Sequence, residues 1–431
     1  MGRVIAILGA HVLTMDGPDI PGGSVLIGDD GAIQAVGPAA DVQVPSHATR
    51  VRAEGHALLP GLVNCHNHAA MALLRGYGAD LPLQRWLEER VFPAEDRLRS
   101  DDVYWGTLAA AAEMLRGATT TFADMYFFED EAARAVDEAG MRAVLSRGLV
   151  GGSQAEAKLA EAEDFCRRFQ GAAGGRITTM MAPHAEYTCP EPFLQDIDAA
   201  ARRLGRPLHV HLAETAAEVA GCRDRHQGRS PVRYLHDLGL LRAGTLTAHC
   251  VHVDADDIAL LAASGAAVSH NPASNCKLGS GIAPTAAMLT KGVHLALGTD
   301  GPASTDSLSM WETMRLAGWL AKASGQDAAA LPARTLLQWA TRGGAAALGL
   351  GEVCGRIAPG LRADLCLVDL SRPHLQPCTD VAAALVYAAT AADVAKVWVD
   401  GTLVVDGAPT KIDTARALAE AQVRMHHLID G

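Results

Sequence analysis

Between Gly61 and Thr299 the chain repeats one pattern eight times: a short β-branched or apolar run, then a longer stretch rich in Ala, Leu, Glu and Arg. The runs are Gly61–His66, Thr119–Asp124, Ala143–Leu149, Ile177–Ala182, Leu208–Leu212, Thr245–His249, Ala266–His270 and Val293–Thr299. Segments between them carry the 3.6-residue apolar period of helices, as in Tyr104–Arg116, Ala155–Phe169, Ile197–Leu204 and Asp256–Ala263. Strands alternating with helices predict parallel pairing. Eight such units in roughly 250 residues predict an α/β chain closed into a (β/α)8 TIM-type barrel.

The two ends read differently. Short strands at Val4–Leu13, Ser24–Ile27, Ala32–Val36 and His56–Leu59 are separated by Gly-Pro, Pro-Gly-Gly and Asp-Asp-Gly turns. After a helix near Leu336–Leu348, strands return at Leu365–Val368, Val394–Val399 and Thr402–Val405, and Asp413–Ile429 reads as a terminal amphipathic helix. The expected organisation is a barrel over 59–355, with 1–58 and 356–431 joining in one small composite β-sandwich.

Composition then removes whole classes of function. Lys+Arg 37 against Asp+Glu 49 gives a net charge of −12, and such a surface repels phosphate backbones. Aromatic residues are 4%, too few for base-stacking platforms, so no nucleic-acid partner is expected. No uncharged apolar run reaches ~18 residues, so no membrane span is expected. Val4–Leu13 is interrupted by Gly9 and His11 and lacks a small-residue cleavage site, which argues against a signal peptide. The nine cysteines are odd in number and form no C-x-x-C pair, the usage of a reduced, cytoplasmic protein.

A barrel carries its active site at the C-terminal ends of its strands. The first run ends in His66-Asn67-His68, whose i, i+2 spacing on a strand points both imidazoles to one face. The fifth ends in His209-Val210-His211-Leu212-Ala213-Glu214, the sixth in Ala248-His249-Cys250, the seventh in Ser269-His270-Asn271 and the eighth in Thr299-Asp300. Three imidazoles, His66, His68 and His211, with the carboxylate of Asp300 suit a borderline divalent ion such as Zn²⁺; Fe²⁺, Ni²⁺ and Mn²⁺ accept the same donors. The chain has no G-x-S-x-G elbow, phosphate-binding P-loop, H-E-x-x-H helix or P-C-x-x-C deaminase pattern.

In combination these motifs resemble the amidohydrolase superfamily: Pro60-Gly61-Leu62-Val63-Asn64 before His66-Asn67-His68, then His211-Leu212-Ala213-Glu214, Ser269-His270-Asn271-Pro272, Gly298-Thr299-Asp300 and Gly360-Leu361-Arg362-Ala363-Asp364. Within it, Ala69–Tyr77, Asp80-Leu81-Pro82-Leu83, Phe92-Pro93-Ala94-Glu95 and His184-Ala185-Glu186-Tyr187-Thr188-Cys189 are similar to the 5′-methylthioadenosine/S-adenosylhomocysteine deaminases. Glu186 departs from that pattern, which has a proline there. Two-metal members of the superfamily bridge their ions through a lysine at the fourth strand. Here that strand ends in Pro183-His184, so one ion is expected.

The resemblance implies hydrolytic attack at C6 of an adenine ring. Glu214 would carry a proton to the ring nitrogen, His249 would orient the attacking hydroxide, and Asp300 would be both ligand and proton acceptor. Glu95 would accept hydrogen bonds from the ribose hydroxyls, and Arg147 and His184 would contact substrate. The partner is then a small-molecule nucleoside, and a homo-oligomer, dimer or tetramer, is expected. Trp86 fits the pocket wall or the core equally. His252 and His270 fit either the site or ordinary rim packing, and Glu129-Asp130-Glu131 reads as the solvated start of a helix. An s-triazine hydrolase or a guanine or pterin deaminase uses the same ligand set. A non-catalytic scaffold would have lost those ligands.

Overall fold

The computed structural model describes residues 4–430. Its N-terminal strands are β1 (Ile5–Val12), β2 (Ile20–Ile27), β3 (Ile33–Pro38), β4 (Thr49–Arg52) and β5 (His56–Pro60). Barrel strands follow as β6 (Leu62–Asn67), β7 (Thr119–Tyr126), β8 (Arg142–Leu149), β9 (Ile177–Thr179), β10 (Ala182–Pro183), β11 (His209–Leu212), β12 (Leu246–His249), β13 (Ala267–His270) and β14 (His294–Leu297). The chain ends with β15 (Leu365–Asp369), β16 (Val394–Val399), β17 (Thr402–Asp406), β18 (Ala408–Pro409) and the helix Thr414–Asp430.

All eight expected runs are present as parallel strands, the fourth divided into β9 and β10. Its backbone donors continue through the division: Met180 N donates to Leu145 O at 3.1 Å and Met181 N to Pro207 O at 3.0 Å. A parallel bridge between Met181 and Leu208 joins the two halves of the wall. On the other side Asp300 N donates to His66 O at 2.9 Å, tying the eighth strand to the first. The barrel is closed, and β6, β11, β12 and the segment after β14 deliver their C-terminal ends to one rim.

Both chain ends meet in one nine-stranded sheet, with β5 paired to β1 on one side and to β15 on the other. Its core draws on both: Ile7, Val12, Ile27 and Leu58 pack with Leu365 and Trp398. A bidentate ion pair buried at both members, Arg142 Nε to Asp364 Oδ2 at 2.7 Å and Nη2 to Oδ1 at 3.2 Å, joins the foot of β8 to the segment entering β15.

Several details differ from the expectations. β4, Thr49-Arg50-Val51-Arg52, is not among the expected strands and pairs parallel with β1. The helix expected from Ile197 starts at Glu191, because Pro192 fits the first turn, where no backbone N–H is needed. The helix near Leu336–Leu348 is opened by a π turn, Trp339–Gly343. It lies against β6 so closely that a Cβ on Gly344 would fall 2.8 Å from Val63 Cβ. Glu129 does start a helix, Glu129–Ala139, but it is buried rather than solvated and accepts a hydrogen bond from Tyr126 N at 2.8 Å. No helix among the described residues is long and apolar enough to cross a membrane.

Candidate active site

At the rim, Nε2 of His66 and Nε2 of His68 each lie 3.3 Å from Asp300 Oδ1. His211 Nε2 faces His68 Nε2 at 3.3 Å. Ligand atoms of His66, His68 and His211 sit within 4.8 Å of one another, as do those of His66, His249 and Asp300.

The orientation of each ring is fixed from behind. His68 Nδ1 donates to Met125 O at 2.5 Å and His211 Nδ1 donates to His184 O at 2.9 Å. A carbonyl oxygen only accepts, so both Nδ1 atoms carry a proton. A neutral ring then turns an Nε2 lone pair toward the centre. His66 Nε2 is buried without a hydrogen-bond partner. Buried nitrogens turned on one another beside a carboxylate leave a need that a cation meets, so these residues fit a divalent metal.

Charge is arranged to match. Burial lowers His66 to about 4 and holds His211 well below its ordinary value, so both are neutral and able to ligate. Against the penalty of burial, the His66 and His68 imidazoles, each 3.3 Å away, hold the Asp300 carboxyl well below the usual carboxylate range.

Two further groups close the constellation. His249 Nε2 lies 3.9 Å from Glu214 Oε2 and 4.0 Å from Asp300 Oδ2. Its Nδ1 lies 2.8 Å from Asn275 Oδ1, and an amide oxygen only accepts, so Nδ1 is the donor. Burial pushes the Glu214 carboxyl up, while the Glu214 and Asp300 charges lift His249 against its own burial. Ser274 and Ser304 donate to Asp300 Oδ2 at 2.6 and 2.9 Å, and Ser280 donates to Glu214 Oε1 at 3.3 Å.

The strand ends bend to reach these positions. Ala213, His249 and Asp300 hold φ of 51°, 76° and 69°, left-handed values that side chains rarely adopt. Gly298 admits the approach of β6, since a Cβ there would lie 2.8 Å from His66 N.

Above the cluster opens a cleft of about 750 Å³. Glu95, Arg147 and His184 stand in its wall with Glu214 and His249. Trp86 meets both of its readings, lining the cleft while buried and donating from Nε1 to Tyr77 O at 3.1 Å. His252 and His270 lie outside that wall. His252 binds Ser280 O at 2.6 Å, which supports the loop that carries the Ser280 hydroxyl to Glu214. His270 is buried and lowered to about 3 by that burial, a neutral core imidazole. Glu186, in place of a proline, is buried and pairs with Arg225 at 2.6 Å and His226 at 3.4 Å, fastening the β10 loop to the helix Ala216–Arg225. Sequence reasoning did not single out His209, Asn275 or the three serines as supports of the site.

Residues 57–404 match the model of the amidohydrolase family. The chain belongs to the amidohydrolase family. This amidohydrolase is 46% identical over 431 residues, 99% of each chain, to the 5-methylthioadenosine/S-adenosylhomocysteine deaminase of Pelotomaculum thermopropionicum. It is 45% identical over 432 residues to the 5′-deoxyadenosine deaminase of Methanosarcina mazei, covering 99% of this chain and 98% of that one. Its fold is similar, with a TM-score of 0.94, to an adenosine deaminase from Xanthomonas campestris solved with bound zinc; 36% of residues are identical, over 100% and 99% of the two chains.

Proposed function

We propose that this amidohydrolase replaces the 6-amino group of 5′-substituted adenosines by oxygen, giving the inosine analogue and ammonia. Relatives at 43–46% identity named for that chemistry support the reading. The observation that carries it is one cleft holding a buried proton-transfer group, Glu214, beside His249 and Asp300, together with a separate carboxylate, Glu95, suited to a ribose.

His66, His68, His211 and Asp300 would hold one divalent ion, zinc by their donor chemistry and by the zinc in the Xanthomonas relative, with no lysine at Pro183-His184 to bridge a second. Such an ion supplies Lewis acidity, bringing the pKa of water from 15.7 toward about 7. Glu214, whose carboxyl burial pushes up, carries a proton to the ring nitrogen beside C6 and makes that carbon electrophilic. His249 turns Nε2 toward the attacking water, its ring held by Asn275. Asp300 takes the water proton while Ser274 and Ser304 keep its second oxygen in place. Ammonia then leaves C6 with the protons collected by these groups.

Glu95 accepts hydrogen bonds from the two ribose hydroxyls. His184, whose Nδ1 lies 3.0 Å from Thr188 Oγ1, presents its other nitrogen to the substrate, and Arg147 meets the 5′ substituent. A triazine or a free purine brings no cis-diol to Glu95, so the rival readings leave that carboxylate without a task. The nine free cysteines support a reducing, cytoplasmic setting.

An ammonia-release screen over adenosine, 5′-methylthioadenosine, S-adenosylhomocysteine, guanine and an aminotriazine tests the assignment. Turnover confined to the nucleosides is expected. Turnover of guanine or the triazine with the nucleosides inert contradicts it.

A further inference from the structure

We propose that Glu186, Cys222 and His226 form a second metal site, a structural one for zinc, separate from the four donors at the barrel rim. The site does not depend on which substrate the cleft takes.

One carboxylate oxygen of Glu186, Sγ of Cys222 and one ring nitrogen of His226 all lie within 4.8 Å of one another. Cys222 lies in the last turn of the helix Ala216–Arg225 and His226 is its C-cap, with His226 N donating to Cys222 O at 2.8 Å. Residues four apart on a helix share one face, so thiol and imidazole are neighbours. Glu186 reaches that face from the loop after β10. The His226 ring is stacked on Tyr234, with centroids 3.7 Å apart and planes inclined by 17°.

The cluster has an unmet need at its carboxylate. Glu186 and Cys222 are buried. Glu186 Oε1 accepts from Arg225 Nη2 at 2.6 Å, while Oε2 is buried without a hydrogen-bond partner, 3.4 Å from His226 Nε2. Arg225 thus holds one oxygen and leaves the other to the cluster, its own side chain 47% exposed to water. Thiolate, imidazole and carboxylate are each zinc ligands, and sulfur in the set disfavours magnesium and calcium. Burial, with the Glu186 charge beside it, pushes the Cys222 thiol up to about 12. The cation displaces that proton to solvent, and the thiolate and carboxylate together neutralise its charge. His226 is 22% exposed at its side chain, which leaves a side open for water as the fourth ligand. Such an ion fastens the helix that follows Glu214 to the loop that carries His184.

The test loads chelator-stripped full-length protein with cobalt(II) in measured equivalents and records bound metal and the near-ultraviolet spectrum. A thiolate on cobalt gives a charge-transfer band there. The rim donors contain no sulfur, so the band reports a cysteine ligand. Wild type should retain two ions per chain after desalting and show the band. Cys222→Ser, with its circular dichroism retained, should lose the band and hold one ion. Glu186→Gln keeps the thiol and should bind the second ion at least about 10-fold more weakly, since a lost ligand costs no less than a lost orienting partner. A wild type without the band, an unchanged band in Cys222→Ser, or unchanged affinity in Glu186→Gln overturns the site. Each of these leaves the deaminase reading standing.

Discussion

Nδ1 of His66 lies 2.9 Å from Nε2 of His209, two residues before His211 on the same strand. One short strand thus supplies a candidate ligand and the brace of another. Burial keeps His209 well below its ordinary value and therefore neutral, so it orients the His66 ring without adding charge. Partners of this kind behind a metal ligand typically contribute 10-fold to 100-fold in affinity. His209→Leu should weaken zinc binding by about that factor in chelator competition while the circular dichroism of the apo-protein is retained. Unaltered affinity would show that His209 only fills the barrel.

Replacing Glu214 by Gln preserves its size and removes its transferable proton. Metal content should persist while kcat falls about 10²-fold to 10⁴-fold, the range of general acid–base catalysis. Near-wild-type turnover with normal metal content would remove Glu214 from the mechanism.

Glu95 predicts a pH limb. Burial raises its carboxyl to about 7, with the Tyr126 hydroxyl pulling back. Only the ionised form accepts hydrogen bonds from both hydroxyls, and an acid ionises above its pKa. For adenosine thioethers kcat/KM should therefore climb with pH through about 7. Glu95→Gln should flatten the limb, and 2′,3′-dideoxy analogues should lack it in the wild type. The same limb in the dideoxy series would assign it to another group.

Arg142 and Asp364 predict a stability effect. Removing one partner of a buried ion pair leaves an uncompensated charge at about 3–5 kcal/mol. Asp400 Oδ1, 3.5 Å from Arg142 Nη2, retains part of the compensation. Asp364→Asn should thus lower the unfolding free energy by about 3 kcal/mol in urea titrations, with an unchanged m-value. Arg142→Met/Asp364→Leu should be less destabilised than the single variant. A single variant as stable as wild type would show that the junction does not depend on this pair.

Much of the architecture was legible because its signals are periodic. The eight runs recur with helices between them, and H-x-H at 66 and 68 places two imidazoles on one strand face. The same i, i+2 spacing joins His209 to His211, yet sequence does not show which ring of such a pair meets the metal and which stands beneath it. Asn275 and Ser274 come from a short helix, Pro272–Lys277, whose polar residues resemble any loop until β13 aims them at the rim. Glu129 follows the local rule for a helix start, but the barrel wall folds over it. Charge in a sequence window does not report burial. Glu186 was visible as a departure, while its partners Arg225 and His226 lie some forty residues on and meet it only in the fold.

The most direct measurement follows the reaction itself. Zinc-loaded enzyme is given 5′-methylthioadenosine in ¹⁸O-enriched water, with product mass and ammonia recorded together. The expected result is the inosine analogue carrying one solvent oxygen at C6, one ammonia for each nucleoside consumed, and loss of both signals after chelation with recovery on adding zinc. A released free base, or full turnover in metal-stripped protein, would contradict it.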